Sequence, residues 1–380
     1  MTISIWQAQG DQPVREVDVL VVGAGLIGCT AAYFLSQAGR DVVITEMRDV
    51  AMGASGRNAG FMITGLDTYY HRATEQYGAD VVREIWKLSL KTHQYWREFA
   101  KNGDVRLEEC GSTLLAESED EAKDLELAAK ALHADGIDVV FHTTDPLQRG
   151  YYAAIEQPWD AAVQPYELTH AICQQSGAEL ISGNELYAFQ QDKPECVTVY
   201  TQKYIFKARK VLLCTNAYSP HIHPYFIGKI IPTRAQCLVT EPVSEPVLNT
   251  CGYSDYGYMY YRMTFDNRLL IGGGRKLHKP LENDTTDDRT TDPVQQVLEN
   301  YLRERFPDVT AEIDRRWAGI MGFTADGLPL VGTLPDCPDV GFAVGFTGHG
   351  LALGAGTAER AVDLLINGTH PGALDARRLG

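Results

Sequence analysis

The sequence predicts an α/β fold. A parallel-sheet nucleotide-binding domain is assembled from separated stretches of chain, and a mixed-sheet, α+β domain is inserted into it. Three observations predict this. Residues 18–46, DVLVVGAGLIGCTAAYFLSQAGRDVVITE, read as strand, glycine turn, helix and strand. Further glycine-rich or polar turn segments of similar character lie in the middle and at the end of the chain. Strand- and helix-rich inserts separate them, with no internal repeat.

Residues 19–22 are an unbroken apolar run, suited to a strand buried on both faces. Gly23, Gly25 and Gly28 then supply G-x-G-x-x-G at the turn into a helix that continues through Leu26 and Ile27. The first glycine permits the tight turn, the second lets a pyrophosphate approach the backbone, and the third lets helix and strand pack closely. Free N–H groups and the positive dipole end of the helix face the phosphates. Glu46, beside Met47 at the end of the next strand, is placed to accept hydrogen bonds from ribose hydroxyls. Together these features predict a Rossmann-like dinucleotide site.

A glycine- and serine-rich loop, GASGRNAGF, follows at residues 53–61. Residues 79–100 predict an amphipathic helix with Val81, Ile85, Leu88, Tyr95 and Phe99 at helical spacing, ended by Gly103. GSTLLAES reads as a strand, and Ser118 with Glu121 as a capping box for a helix closed by Gly136. A helix over 165–176, a strand near 178–182 and a meander to Lys207 come next. KVLLCTNAYS, at 210–219, is a buried strand ending in a polar turn. Residues 229–275 carry further strands, 281–292 a charged linker, and a helix runs through Val297 and Tyr301. The chain closes on a strand, GFAVGF, and a glycine turn into a terminal helix. The expected division is a discontinuous cofactor domain of residues 1–100, 150–222 and 316–380, and a substrate domain of 101–149 and 223–315.

Composition excludes several classes. With 34 Lys and Arg against 50 Asp and Glu, the net charge is -16, so a nucleic-acid partner is not expected. No apolar run is long enough to span a membrane, and no membrane anchor is evident. Residues 1–17 lack the basic start and apolar core of a secretion signal. The eight cysteines are scattered with no C-x-x-C pair, as in reduced thiols of a cytoplasmic protein. His221 and His223 form an H-x-H followed by Pro224 and read as a loop, so no metal is expected.

The fingerprint and its acid do not separate NAD from FAD, but three distant cofactor-type segments suit the longer FAD better. At this point the chain resembles a known family. GAGLIG, GASGRNAG, CTNAYS, IIPTRAQCLVTEP, YYRMTFDNRLLIGGG, WAGIMGFTADGLPLVG and GFTGHGLALGAG together resemble the D-amino acid oxidase-type FAD-dependent oxidoreductases. Among them the chain looks most like the gamma-glutamylputrescine oxidoreductase branch, and less like glycine and sarcosine oxidases. The resemblance runs from about Trp6 to the terminal helix.

The resemblance implies that Gly53, Ala54, Ser55, Arg57, Asn58, Ala59 and Gly60 lie along the pyrophosphate and flavin edge. Arg57 would neutralise charge there or serve as an ordinary loop arginine. Leu186 would meet the adenine through its backbone, and Thr215 and Asn216 would belong to the cofactor site. Gly348, His349, Gly350 and Leu351 would aim a helix N-terminus at the flavin, favouring its reduced anionic form. His349 either lines the substrate side or braces the turn. Tyr258, Tyr260 and Arg262 share one face of a strand and Tyr261 takes the other, so only one set can face a cavity.

Two departures from the family pattern stand out. Met321 occupies the place where glycine and D-amino acid oxidases carry a carboxylate-clamping arginine, and Gly319 stands where some sarcosine oxidases carry a flavin-linking cysteine. The first disfavours simple α-amino acids; the second implies non-covalent FAD. The expected enzyme oxidises a primary or secondary amine, of polyamine or acylated-polyamine type, by hydride transfer to flavin. Imine hydrolysis follows, with oxygen or another acceptor taking the electrons. The alternatives are an amino-acid oxidase with another arginine, such as Arg262 or Arg268, on the carboxylate, and a dehydrogenase using a different acceptor. His349, Tyr261, Arg262 and Met321 are the candidate catalytic residues, and the oligomeric state is open.

Overall fold

Strand Val14–Val22 lies between Ile205–Leu213 and Val42–Thr45, parallel to both, in a computed structural model that describes residues 12–380. The secretion-signal reading and the start of the resemblance at Trp6 fall largely on residues 1–11, outside the described residues. Glu179–Ile181 extends the sheet beyond Val42–Thr45, and Val340–Val344 extends it beyond Ile205–Leu213, both parallel. Parallel strands need both faces covered. Helices Leu26–Gln37, Ala79–Asn102, Pro165–Ser176 and Gly350–Asn367 cover one, burying Val19, Val21, Ile44, Leu35, Trp96 and Leu353 among them. On the other, Leu20 and Val22 pack with Phe206, Phe226 and Phe342.

The second sheet has the strand order 313–323, 231–240, 269–273, 259–263, 251–254, 112–115, 154–157, 140–142. Its pairs are antiparallel except Cys251–Ser254 with Ser112–Leu115, so the sheet is mixed. Helix Asp292–Arg305 contributes Leu298, Tyr301 and Leu302 to the core on one of its faces. Sheet membership departs from the expected divisions at three places, one being Leu107–Glu108, which pairs with Ala161–Val163 of the expected cofactor part in a small third sheet. Strand Ala154–Gln157 and strand Ile313–Phe323 both hydrogen-bond into this second sheet. Their apolar patterns carry no mark of which sheet they join, because pairing is a long-range choice.

Local readings match closely where chain chemistry is local. Helix Ala79–Asn102 buries Val82, Ile85, Leu88, Trp96 and Phe99 and stops at Gly103, whereas Val81 and Tyr95 are only half-buried. The Ser118 Oγ accepts from the Glu121 N–H at 3.1 Å, but only that half of the expected capping box forms. The Glu121 carboxylate accepts instead from the Glu117 N–H, the Tyr69 hydroxyl and the Tyr256 N–H. Among the described residues no helix is long and apolar enough to cross a membrane.

Candidate active site

The glycine turn behaves as its spacing demands. Gly23 has φ +107, a conformation open to glycine, and a Cβ on Gly28 would lie 1.8 Å from the Gly23 carbonyl oxygen. The helix begins at Leu26 with no side-chain cap from Gly25. The Leu26 N–H donates to Ser55 Oγ at 2.8 Å, which ties the 53–61 loop to this turn. Glu46 Oε2 accepts from the Ala24 N–H and Oε1 from the Arg48 N–H, each at 2.8 Å. These bonds fix the carboxylate's direction while leaving each oxygen a second lone pair.

A cavity of about 630 Å³ starts at this turn and runs to the second sheet. Gly23, Gly25, Leu26, Ile27, Glu46, Met47, Gly53, Ala54, Ser55, Arg57, Asn58, Ala59, Leu186, Thr215, Asn216, Gly319, Met321, Gly348, His349, Gly350 and Leu351 all line it. Gly28 and Gly60 do not: each is pressed against backbone behind the wall, Gly60 with φ +76 and a hypothetical Cβ 2.1 Å from the Val163 carbonyl oxygen. Two expected catalytic residues also lie elsewhere. Tyr261 points to the opposite strand face, fully buried against Tyr151, Tyr301 and Phe306. Arg262 shares the face of Tyr258 and Tyr260 but lies past the cavity's end, buried over Phe265 with Nη2 near the Val163 carbonyl. Arg268 sits at the surface, bonded to Asp266 and Asp314.

At the far end the lining includes His349 and Met321, whose Sδ would lie 3.4 Å from a Cβ on Gly348. His349 Nδ1 donates to the Thr347 carbonyl at 3.1 Å while the ring lines the cavity, so the bracing and lining positions coincide. Thr347 has φ 49, an outlier for a β-branched residue, held by its N–H bond to the Gly322 carbonyl. No side chain caps helix Gly350–Asn367, whose first turn faces the cavity. Arg57 Nη1 bonds the Ala318 carbonyl and pairs with Asp288, both at 2.9 Å, so its charge is already partly answered by protein.

Two charged residues that sequence reading passed over line this end. The Arg275 guanidinium lies 5.1 Å from the Tyr258 ring and 4.7 Å from Phe323, with no carboxylate partner among the described residues. Asp67 keeps accessible surface, but that surface faces the cavity. Burial pushes its carboxyl above the ordinary range, opposed by His349, Arg275 and Lys279. A signal for Arg275 existed, since it directly follows the GGG run that closes strand Leu269–Gly273.

The family model for FAD dependent oxidoreductases (DAO) matches residues 18–364. The chain belongs to the DAO family. It is 28% identical over 381 residues to a probable oxidoreductase OrdL of Haemophilus influenzae, covering 93% of this chain and 84% of that one. It is 27% identical to the gamma-glutamylputrescine oxidoreductase of Escherichia coli, covering 88% and 80%. Glycine oxidase from Geobacillus kaustophilus shares the fold at a TM-score of 0.80 and 22% identity, covering 96% and 98%. This DAO-family chain is therefore an FAD-dependent oxidoreductase of amines or amino acids.

The cavity fits the cofactor. Gly25 and Gly319 present bare backbone to it, where a Cβ would come within 2.9 Å of Ser55 Oγ and 3.2 Å of Arg57 Cβ. Two uncapped helix N-termini face its two ends, suited to phosphate and to the flavin's developing negative charge.

Proposed function

We propose that this enzyme oxidises primary or secondary amines of polyamine or acylated-polyamine type whose reacting carbon bears no carboxylate. The observation that carries this reading is Met321. It lines the reaction end of the cavity where the family resemblance leads one to expect a carboxylate-clamping arginine. A thioether there offers neither charge nor N–H donors, so a carboxylate beside it loses hydration without compensation. FAD, which Gly25, Ser55, Glu46 and Gly319 would hold without a covalent link, would supply the hydride acceptor that turns the amine into an imine, with oxygen as the final acceptor giving hydrogen peroxide. The resulting imine is hydrolysed to a carbonyl compound and ammonia or a smaller amine.

The chain's own residues position and shield. Met321, Tyr258, Tyr260 and Phe323 wall the substrate end with apolar surface, which favours an unprotonated amine. His349, fixed by Thr347, keeps one ring edge toward the substrate. The E. coli relative's name, gamma-glutamylputrescine oxidoreductase, supports an amine with an acylated arm. The eight cysteines, all free, support a cytoplasmic setting.

Arg275 favours a second reading, an amino-acid oxidase in which this residue clamps the α-carboxylate in the role first considered for Arg262 or Arg268. Anaerobic bleaching of the flavin by a panel of amines and amino acids decides between them. The amine reading expects rapid bleaching by amines lacking a carboxylate; the second expects it only from α-amino acids.

A further inference from the structure

A second cavity, of about 240 Å³, adjoins the first. Asp67, Tyr253, Tyr258, Arg275 and His349 line both, so they form the mouth between the two. Asp67 sits at the tip of a tight turn closed by the bridge between Leu66 and Thr68. Its carboxylate has no hydrogen-bond or ion-pair partner among the described residues, and neither has the Arg275 guanidinium beyond its contacts with aromatic faces. Their charges feel each other, yet no nitrogen of Arg275 comes within 4.0 Å of an oxygen of Asp67. Both side chains keep accessible surface at this mouth, so each charge is open to a partner that the protein itself does not supply. A ligand that brings both counter-charges would find them side by side.

We propose that Asp67 and Arg275 form a dipolar subsite that holds an ammonium and a carboxylate on the non-reacting arm of the substrate. The proposal rests on the amine-oxidation reading and narrows it: the reacting amine lies by Met321 and His349, and the arm ends in an α-amino-acid-type head at the mouth. Asp67 alone would take a simple diamine. Arg275 beside it makes a purely cationic arm a poor match, while a zwitterionic head answers both charges. Arg275 can also fork onto a carboxylate with two parallel N–H bonds.

The test uses the FAD-loaded full chain and stopped-flow flavin reduction. The probes are 2,4-diaminobutyrate, ornithine and lysine, whose terminal amine and remote zwitterion differ only in spacing. Each is compared with butylamine, with 1,4-diaminobutane, and with its own methyl ester and Nα-acetyl derivative. At least one member of the series should bind about tenfold or more tightly than its ester or its Nα-acetyl form. Asp67→Asn should erase the penalty for acetylation, and Arg275→Gln the penalty for esterification. Calorimetric titration with the best probe under anaerobic conditions reads the same affinities apart from turnover. Products must be aldehydes formed at the terminal carbon.

Equal affinity for probe, ester and acetyl form would overturn the proposal while leaving amine oxidation intact. A 2-oxo acid product would overturn it in favour of Arg275 as an α-carboxylate clamp. Flavin reduction by none of the amines would defeat the underlying reading instead.

Discussion

Arg57 and Trp317 tie a loop to a strand. The Trp317 indole N–H donates to the Arg57 carbonyl at 2.8 Å, and Arg57 Nη1 donates to the carbonyl of Ala318, next to Trp317, at 2.9 Å. This double tie joins the 53–61 loop to strand Ile313–Phe323 across the cavity wall. Replacing Trp317 by Phe removes one donor and leaves the Arg57 carbonyl unpaired, at a cost of about 1–3 kcal/mol. FAD affinity should fall by about tenfold or more, measured as cofactor loss on dilution. Arg57→Ala should do the same and also lower the flavin potential, but less than an unpaired cation would, since Asp288 already answers its charge. An unaltered cofactor affinity in both variants would reduce the tie to decoration.

Gly25 and Gly28 should fail differently. A valine at position 25 meets Ser55 Oγ and the space reserved for pyrophosphate, so the chain should fold and come out colourless. At position 28 even an alanine collides with the Gly23 carbonyl, so that variant should lose melting temperature as well as FAD. The wild-type protein should be yellow and release all its FAD on acid precipitation, because Gly319 offers no sulfur for a covalent bond. Colour retained on the precipitate would contradict non-covalent binding.

The glycine turn, the acid at Glu46 and the long amphipathic helix were legible because each is specified by residues close together in sequence. Strand alternation was equally legible and stated that Tyr260 and Tyr261 could not both face the cavity. Which face won was not, because it depends on the packing of Tyr151, Tyr301 and Phe306 from distant segments. Arg262 misled for a related reason. It is on the cavity-side face of its strand, but how far a cavity extends along a strand is set by neighbouring loops. Asp67 and Arg275 escaped notice because isolated charges in loops carry no periodic signal, and only the fold brings them to one mouth.

A buried relay makes a pH prediction. Asp160 accepts from the Thr64 N–H and hydroxyl, from Ser112 and from Gln157, and burial raises its carboxyl to about 6. Thr64 Oγ1 also lies 3.4 Å from Nδ1 of His93, whose burial, aided by Arg97, depresses it to about 3. Between about pH 4 and 6 the unfolded Asp160 has lost a proton that the folded one keeps, so its contribution falls as pH rises. His93 does the reverse: over about pH 3 to 6.5 its unfolded form holds a proton the folded form lacks, so its contribution rises with pH. Each slope is at most about 1.4 kcal/mol per pH unit, and they oppose. Wild-type melting should therefore vary little from these groups between pH 4 and 6. In Asp160→Asn stability should climb with pH across that window, and in His93→Gln it should fall. Parallel profiles for all three proteins would show that the pair does not titrate as described.

The substrate prediction turns on Met321 and Arg275 together. Leaving a carboxylate unpaired beside Met321 costs about 3 kcal/mol, or roughly a hundredfold in binding. Amines without a carboxylate on the reacting carbon should therefore reduce the flavin faster than glycine, sarcosine or D-alanine at equal concentration. Met321→Arg supplies the missing donors at the reaction end and should narrow that gap by improving the amino acids while slowing the amines, whose cationic conjugate acids it repels. Arg275→Gln separates the two readings. If Arg275 serves only a remote group, the variant leaves the poor rates with glycine and sarcosine where they were. Should wild type prefer D-alanine or sarcosine to every carboxylate-free amine, and should Arg275→Gln abolish that preference, the α-carboxylate clamp is Arg275 and the amine reading is wrong. Stopped-flow reduction of the three proteins against one amine and one amino-acid series measures all of these outcomes.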